Sequence, residues 1–159
     1  MDKIVLITGA SSGIGEGCAR KFAAEGARLI LNARSKDKLE ALAQELKEKY
    51  HTACYVLPFD VRNRKTAAEA LGSLPEEWQA IDVLVNNAGL VIGVDKEHEG
   101  NLEEWDVVID TNIKSLLAMT RMVVMRAHCE DASLFVIENI DFYSTRRRAV
   151  KRFKCPIGR

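Results

Sequence analysis

The stretch Leu6-Ile7-Thr8-Gly9-Ala10-Ser11-Ser12-Gly13-Ile14-Gly15 constrains this chain more than any other. It leaves an apolar run, Ile4-Val5-Leu6-Ile7, and enters a segment whose apolar residues recur at helical spacing. Strand, glycine-rich turn and helix, in that order, make a nucleotide-binding unit. Gly9 lets the chain turn sharply off the strand, Gly13 lets backbone approach a pyrophosphate, and Gly15 lets the helix pack closely on the strand. The N–H groups at the helix start and the helix dipole then offer a place for phosphates. Ser11, Ser12 and Ile14 lie among these glycines and share the candidate site. Taken alone, the glycines fit an ordinary Gly-rich loop as well as a nucleotide loop, so the remainder of the chain decides.

Strand and helix patterns alternate along it. The spacing predicts strands over Lys3–Ile7, Ala27–Asn32, Thr52–Leu57, Ile81–Val85 and Leu134–Ile140, and helices over Gly13–Glu25, Lys36–Lys49, Asn63–Leu71 and Leu102–Ala127, the last in two pieces around Asp110. Gly26 stands where a helix stops, and Ser35 and Asn63 stand where helices begin. Ile81–Val85 is a continuous apolar run, as suits a strand buried on both faces. Repeated β-α-β units imply an α/β, Rossmann-type, doubly wound parallel sheet, in strand order 3-2-1-4 with the fifth strand beside the fourth. A length of 159 residues predicts a single domain over 1–159.

The glycine motif reads T-G-x-x-x-G-x-G, and two further segments follow in order: Asn86-Asn87-Ala88-Gly89 after a strand, and Asp110-Thr111-Asn112 before a helix. Together they resemble the short-chain dehydrogenase/reductase family over residues 3–125. Ser73-Leu74-Pro75-Glu76-Glu77-Trp78, Leu90, Glu104-Trp105 and Ile109 add a likeness to its NADP-dependent 3-hydroxy acid (serine-type) dehydrogenases. The resemblance implies an oxidoreductase that moves hydride between a nicotinamide and a small hydroxy acid, alcohol or carbonyl compound. It also implies that Asp60 and Val61 flank the adenine, with the Asp60 side chain near its amino group. Asn86, Ala88 and Gly89 would line the adenine-ribose side, and Asn112 would hold a water in a proton relay. The plainer readings are a helix-start acid for Asp60, a turn-stabilising residue for Asn86 and an Asn tolerated at a helix junction for Asn112.

Cofactor choice is read at the end of strand two, where an NAD site usually carries an acid for the ribose 2′-hydroxyl. Here the chain reads Leu31-Asn32-Ala33-Arg34-Ser35, with no acid. Arg34 offers planar donors to a 2′-phosphate and Ser35 can assist, so NADP is expected over NAD. The competing reading makes Arg34 a solvated loop residue.

The proton-transfer residues do not follow the family. Its chemistry uses a Ser, a Tyr about thirteen residues on, and a Lys completing Tyr-x-x-x-Lys. Counted without a gap, Ile140, Phe153 and Ile157 occupy those positions. With a gap, Tyr143 becomes the acid/base and Arg147 stands where the Lys belongs, without the serine-bearing loop. Residues 126–159 depart from the family and form a divergent, basic tail, while a family domain runs to roughly 250 residues. A truncated, frame-shifted or spliced product is therefore expected, catalytically impaired. The alternative is a non-catalytic nucleotide-binding remnant or regulatory form.

Twenty-three basic residues balance 23 acidic ones, so no general attraction to polyanions follows, and nucleic acid is not an expected partner. No apolar run approaches the ~20 residues of a membrane span. The 4 cysteines show no metal spacing and fit a reducing cytoplasm, and the 3 histidines are isolated. The expected partner is a small-molecule substrate. A homo-oligomer, or aggregation, is expected through the helix after Asn112, where Ile113, Leu116, Leu117, Thr120 and Val124 sit at helical spacing, and through strand five left as an open edge.

Overall fold

The computed structural model describes residues 3–93, 96, 98–126, 133–138 and 150–154, the last two segments through their backbone. Six strands form one sheet: β1 (Ile4–Thr8), β2 (Arg28–Asn32), β3 (Cys54–Val56), β4 (Val83–Asn86), β5 (Ser133–Glu138) and β6 (Val150–Lys154). Their order is β3-β2-β1-β4-β5-β6. β1 pairs in parallel with β2 (Leu6 opposite Ile30) and with β4 (Leu6 opposite Leu84), and β5 pairs in parallel with β4. The expected order 3-2-1-4-5 is thus the observed one.

One expectation is corrected. β5 is not an edge: β6 covers it in antiparallel register, with Ile137 opposite Val150 and Leu134 opposite Phe153. Antiparallel edge strands on parallel sheets are common, and Val-Lys-Arg-Phe-Lys has the β-branched, aromatic and charged content that suits an edge. The basic tail masked that strand in the sequence, because its charge reads first as a solvated terminus.

Alternate strand residues face opposite sides, and each side is covered. Val5, Ile7, Leu29, Leu31, Val83 and Val85 pack under α1 (Gly13–Ala24) and α2 (Lys36–Tyr50), through Ala19, Ala23, Leu39, Leu42 and Leu46. Ile4, Leu6, Ile30 and Leu84 pack on the other face against α3 (Arg64–Gly72) and α5 (Ser115–Val124), through Ala67, Leu71, Met119 and Val123. Burial on both faces is why these strands read as apolar runs rather than as alternating patterns.

Local signals set the boundaries. α1 ends where Gly26, at φ +78°, closes the last turn; its N–H donates to Ala23 O and the N–H of Ala27 to Phe22 O. Asn63 caps α3 by accepting from Thr66 N at 3.1 Å. Ser35 holds the cap position of α2, but its side chain makes no capping bond. α4 (Leu102–Ile109) passes into a π turn, Asp110–Lys114, before α5, which is the break expected near Asp110. No helix among the described residues is long and apolar enough to cross a membrane.

Candidate nucleotide site

A cavity of about 330 Å³ opens where the C-terminal ends of β1, β2, β3 and β4 meet the start of α1. In open α/β sheets this crevice is where ligands bind. One end is built from backbone. Gly9 adopts φ +67° and Gly13 φ +59°, conformations that L side chains rarely hold. A Cβ on Gly9 would stand 2.9 Å from Ala88 Cα, and one on Gly15 would intrude on the Gly9 carbonyl and the Asn87 amide. The glycines therefore let three backbones converge. Ser12 precedes α1 with an extended backbone, and its side chain makes no capping bond to the helix. Ser11, Ser12 and Ile14 line the cavity at that helix start.

Thr8 and Asn87 stitch this end together, and the sequence reading assigned neither to the site. The Thr8 hydroxyl donates to Val85 O (3.2 Å) and accepts from the N–H groups of Asn87 and Ala88 (both 3.0 Å). Asn87 Nδ2 donates to Thr8 O (3.0 Å) and Gly9 O (3.2 Å). Of the paired asparagines, Asn87 lines the cavity together with Ala88 and Gly89. Asn86, buried at the strand end, instead donates from Nδ2 to Thr120 Oγ1 at 2.8 Å. Strand alternation is the signal that separates them: Asn86 shares the Leu84 face, which is the α5 face.

The other end is built from side chains. Arg34 and Ser35 line it from the connection between β2 and α2; Asp60, Val61 and Arg62 line it from the turn after β3. Asn32, fully buried, ties these strand ends together by donating from Nδ2 to Leu57 O (3.0 Å) and Phe59 O (3.2 Å). Arg62 is the residue the sequence reading missed. Its Nε lies 3.1 Å from each Asp60 carboxylate oxygen, its Nη2 lies 2.6 Å from Oδ2, and its own N–H donates to Oδ1 at 3.0 Å. The Arg62 hydrogen bonds hold the Asp60 carboxyl below the usual carboxylate range, and the more distant charge of Arg34 adds to that. An acid and an arginine two residues apart in a turn are the signal for such a pair.

Asn112 sits in the π turn. Its Oδ1 accepts from Leu90 N (2.9 Å) and its Nδ2 donates to Leu90 O (2.8 Å), so its side chain braces the loop leaving β4. Gly89 gives it room: a Cβ there would lie 3.0 Å from Asn112 Oδ1. Tyr143 and Arg147 lie outside the described residues. No group of acidic, histidine or cysteine side chains that could hold a metal occurs among the described residues.

A sequence profile for the family described as short chain dehydrogenase matches residues 3–132. The chain belongs to that family. The NADP-dependent 3-hydroxy acid dehydrogenase YdfG of Salmonella typhi is 47% identical over 121 residues, 76% of this chain and 47% of that protein. Among solved structures, serine dehydrogenase from Escherichia coli matches with a TM-score of 0.69 and 45% identity, over 77% of this chain and 55% of that one. L-sorbose reductase from Gluconobacter frateurii, complexed with NADPH and L-sorbose, matches with a TM-score of 0.73 and 32% identity, over 79% of this chain and 48% of that one. This short-chain dehydrogenase chain thus spans about half the length of the YdfG relative.

Proposed function

We propose that the chain binds NADP(H) as the nucleotide-binding part of a short-chain oxidoreductase whose substrates are small hydroxy acids, alcohols or carbonyl compounds. The carrying observation is the two-ended cavity, with converging glycine backbones beside a helix start at one end and guanidinium side chains at the other. That donor set suits a dinucleotide. Pyrophosphate would lie on Gly9, Ser11, Ser12, Gly13, Ile14 and Gly15. Adenine would lie against Asp60 and Val61, its ribose against Ala88 and Gly89, and a 2′-phosphate on Arg34 and Ser35. Asn86 serves the site from behind, by fixing the β4 end on α5. When bound, the nicotinamide supplies or accepts the hydride. The names of the Salmonella and Gluconobacter relatives, which carry NADP and NADPH, support the same cofactor here.

Calorimetric titration of NADP⁺ and NAD⁺ tests this. The unsubstituted chain should prefer NADP⁺, and Arg34→Ala should weaken NADP⁺ roughly tenfold while leaving NAD⁺ nearly unchanged. A preference for NAD⁺, or one indifferent to Arg34, contradicts the proposal.

Turnover is a separate matter. Of the chain's 3 tyrosines none heads a Tyr-x-x-x-Lys; the nearest is Tyr143 with Arg147. Arginine is a fixed, planar cation rather than a compact ammonium, and tyrosine without such a neighbour titrates near ~10, far from useful as a neutral-pH base. We infer that these 159 residues, by themselves, bind nucleotide without appreciable dehydrogenase activity. NADPH absorbance with a panel of carbonyl and 3-hydroxy acid substrates should stay flat. Turnover lost in Tyr143→Phe would overturn this inference and give Tyr143 the acid role, with Arg147 and Asn112 as its supports.

We also propose self-association along Leu102, Trp105, Ile109, Ile113 and Leu117, an exposed apolar line on α4, the π turn and α5. Sedimentation should show a concentration-dependent oligomer that Leu117→Glu dissociates; a monomer at high concentration contradicts it.

A further inference from the structure

Asp60 poses a problem for a site that takes a 2′-phosphate. A carboxylate lines the same cavity end as Arg34, and its charge opposes a phosphate bound at that end. Left alone, Asp60 would also draw on the charge of Arg34, which already reaches it. Arg62 prevents both. Its guanidinium and its backbone N–H together engage both carboxylate oxygens, in a pair only two residues apart that needs no distant element to form. Asp110 is the other acid whose charge reaches Arg62; it pairs with Lys114 at 2.7 Å, and the side-chain hydrogen bonds of Arg62 go to Asp60.

From this geometry we infer that Arg62 is a positioning residue for cofactor choice: it neutralises Asp60, so that the charge of Arg34 is available to a 2′-phosphate. The inference deepens the NADP(H) reading and rests on it. With the pair intact, this end of the cavity carries two guanidinium charges and one carboxylate, hence one net positive charge. Without Arg62 the net charge is zero. Asp60 then draws on the charge of Arg34 and repels the phosphate, which itself carries about −1.5 to −2. The adenine and 5′-phosphate contacts are common to phosphorylated and unphosphorylated ligands, so masking must show in the ratio of their affinities. A role for Arg62 as a direct phosphate contact predicts a different pattern in combined substitutions.

The test titrates adenosine 2′,5′-bisphosphate and AMP into the whole chain and its variants, at fixed salt, with thermal melts as a folding control. Arg62→Gln should lower the ratio of the two affinities roughly tenfold. Arg62→Lys, which keeps the charge, should restore most of it. Asp60→Asn should leave the ratio at or above its starting value. The double variant Asp60→Asn/Arg62→Gln should return the ratio to that of the unsubstituted chain, since no bare carboxylate remains. A double variant as poor as Arg62→Gln alone overturns masking and makes Arg62 a direct phosphate contact. A ratio unmoved by Arg62→Gln overturns any part for Arg62. If neither ligand binds the unsubstituted chain, the nucleotide reading itself fails and masking fails with it.

Discussion

The two ends of the cavity hold charge by opposite means. The β1–β4 end is backbone: Gly9, Gly13 and Gly15 shape it, and Thr8 and Asn87 fasten it with hydrogen bonds of 3.0 Å between adjacent strand ends. The β2–β3 end is side chain: Arg34, Asp60 and Arg62 are partly or fully exposed and interact through formal charge. Backbone recognition tolerates no added atoms but needs no particular side-chain charge. Side-chain recognition tolerates substitution but depends on which charges are paired. The first end should therefore fail in stability and in binding of every nucleotide alike, the second in discrimination between nucleotides.

The largest expected effect comes from Gly15→Ala. A methyl there meets the Gly9 carbonyl and the Asn87 amide, both fixed by the strand ends. Overpacking against backbone should destabilise the fold by roughly 3 kcal/mol, read as a lower urea midpoint, and weaken NADP⁺ and NAD⁺ together. A variant as stable as the starting chain would show that the loop gives way, and that this end is softer than described.

Thr8→Val ranks next. Valine keeps the shape but takes the acceptor of the Ala88 N–H away in a site where Thr8 is buried, while the Asn87 N–H keeps its bond to Val85 O at 3.0 Å. A loss of about 2 kcal/mol is expected, again with both nucleotides weakened alike. If Thr8→Val changed the NADP⁺/NAD⁺ ratio instead, the division between the two ends would not hold.

The smallest effect belongs to acid stability. Asp60 has its folded-state carboxyl lowered by Arg62. A lowered carboxyl stabilises the fold above its unfolded value, near ~3.9, and that contribution is lost as pH falls through the folded value. Asp60→Asn should therefore flatten the acid limb of the stability curve below about pH 4. The pair is partly exposed, so the change should stay under about 1 kcal/mol. A larger change would mean that the pair fastens β3 to the cavity rather than setting its charge.

The same contrast explains what could be read before the structure. Glycine spacing reports backbone geometry directly, because only glycine holds φ near +60° cheaply, so the β1 turn and helix α1 were legible. Strand order followed from apolar runs and from the handedness of crossovers. Asn87 was legible only through the pleat, since Asn86 and Asn87 are the same residue type and alternation alone tells which faces the cavity; Thr8 reads as the end of an apolar strand until its hydroxyl is seen on the β4 end. Arg62 offered only the weak signal of an arginine two residues after an acid: next to Asp60 and Val61 it reads as a solvated turn residue until its guanidinium is seen on the carboxylate. β6 hid behind its own charge, for an edge strand tolerates lysine and arginine that a central strand would exclude.

The central claim is that this one cavity is the nucleotide site, with its phosphate and ribose ends where the glycines and arginines lie. Backbone amide shifts in a ¹⁵N-labelled chain, followed as NADP⁺ is added, test it residue by residue. The account predicts changes concentrated at 9–15, 33–35, 60–62 and 87–90, with those at 33–35 much reduced when NAD⁺ replaces NADP⁺. Shifts centred instead on the groove between α2 and β3, around Lys47, His51 and Cys54, or an absence of shifts at 9–15, would contradict it.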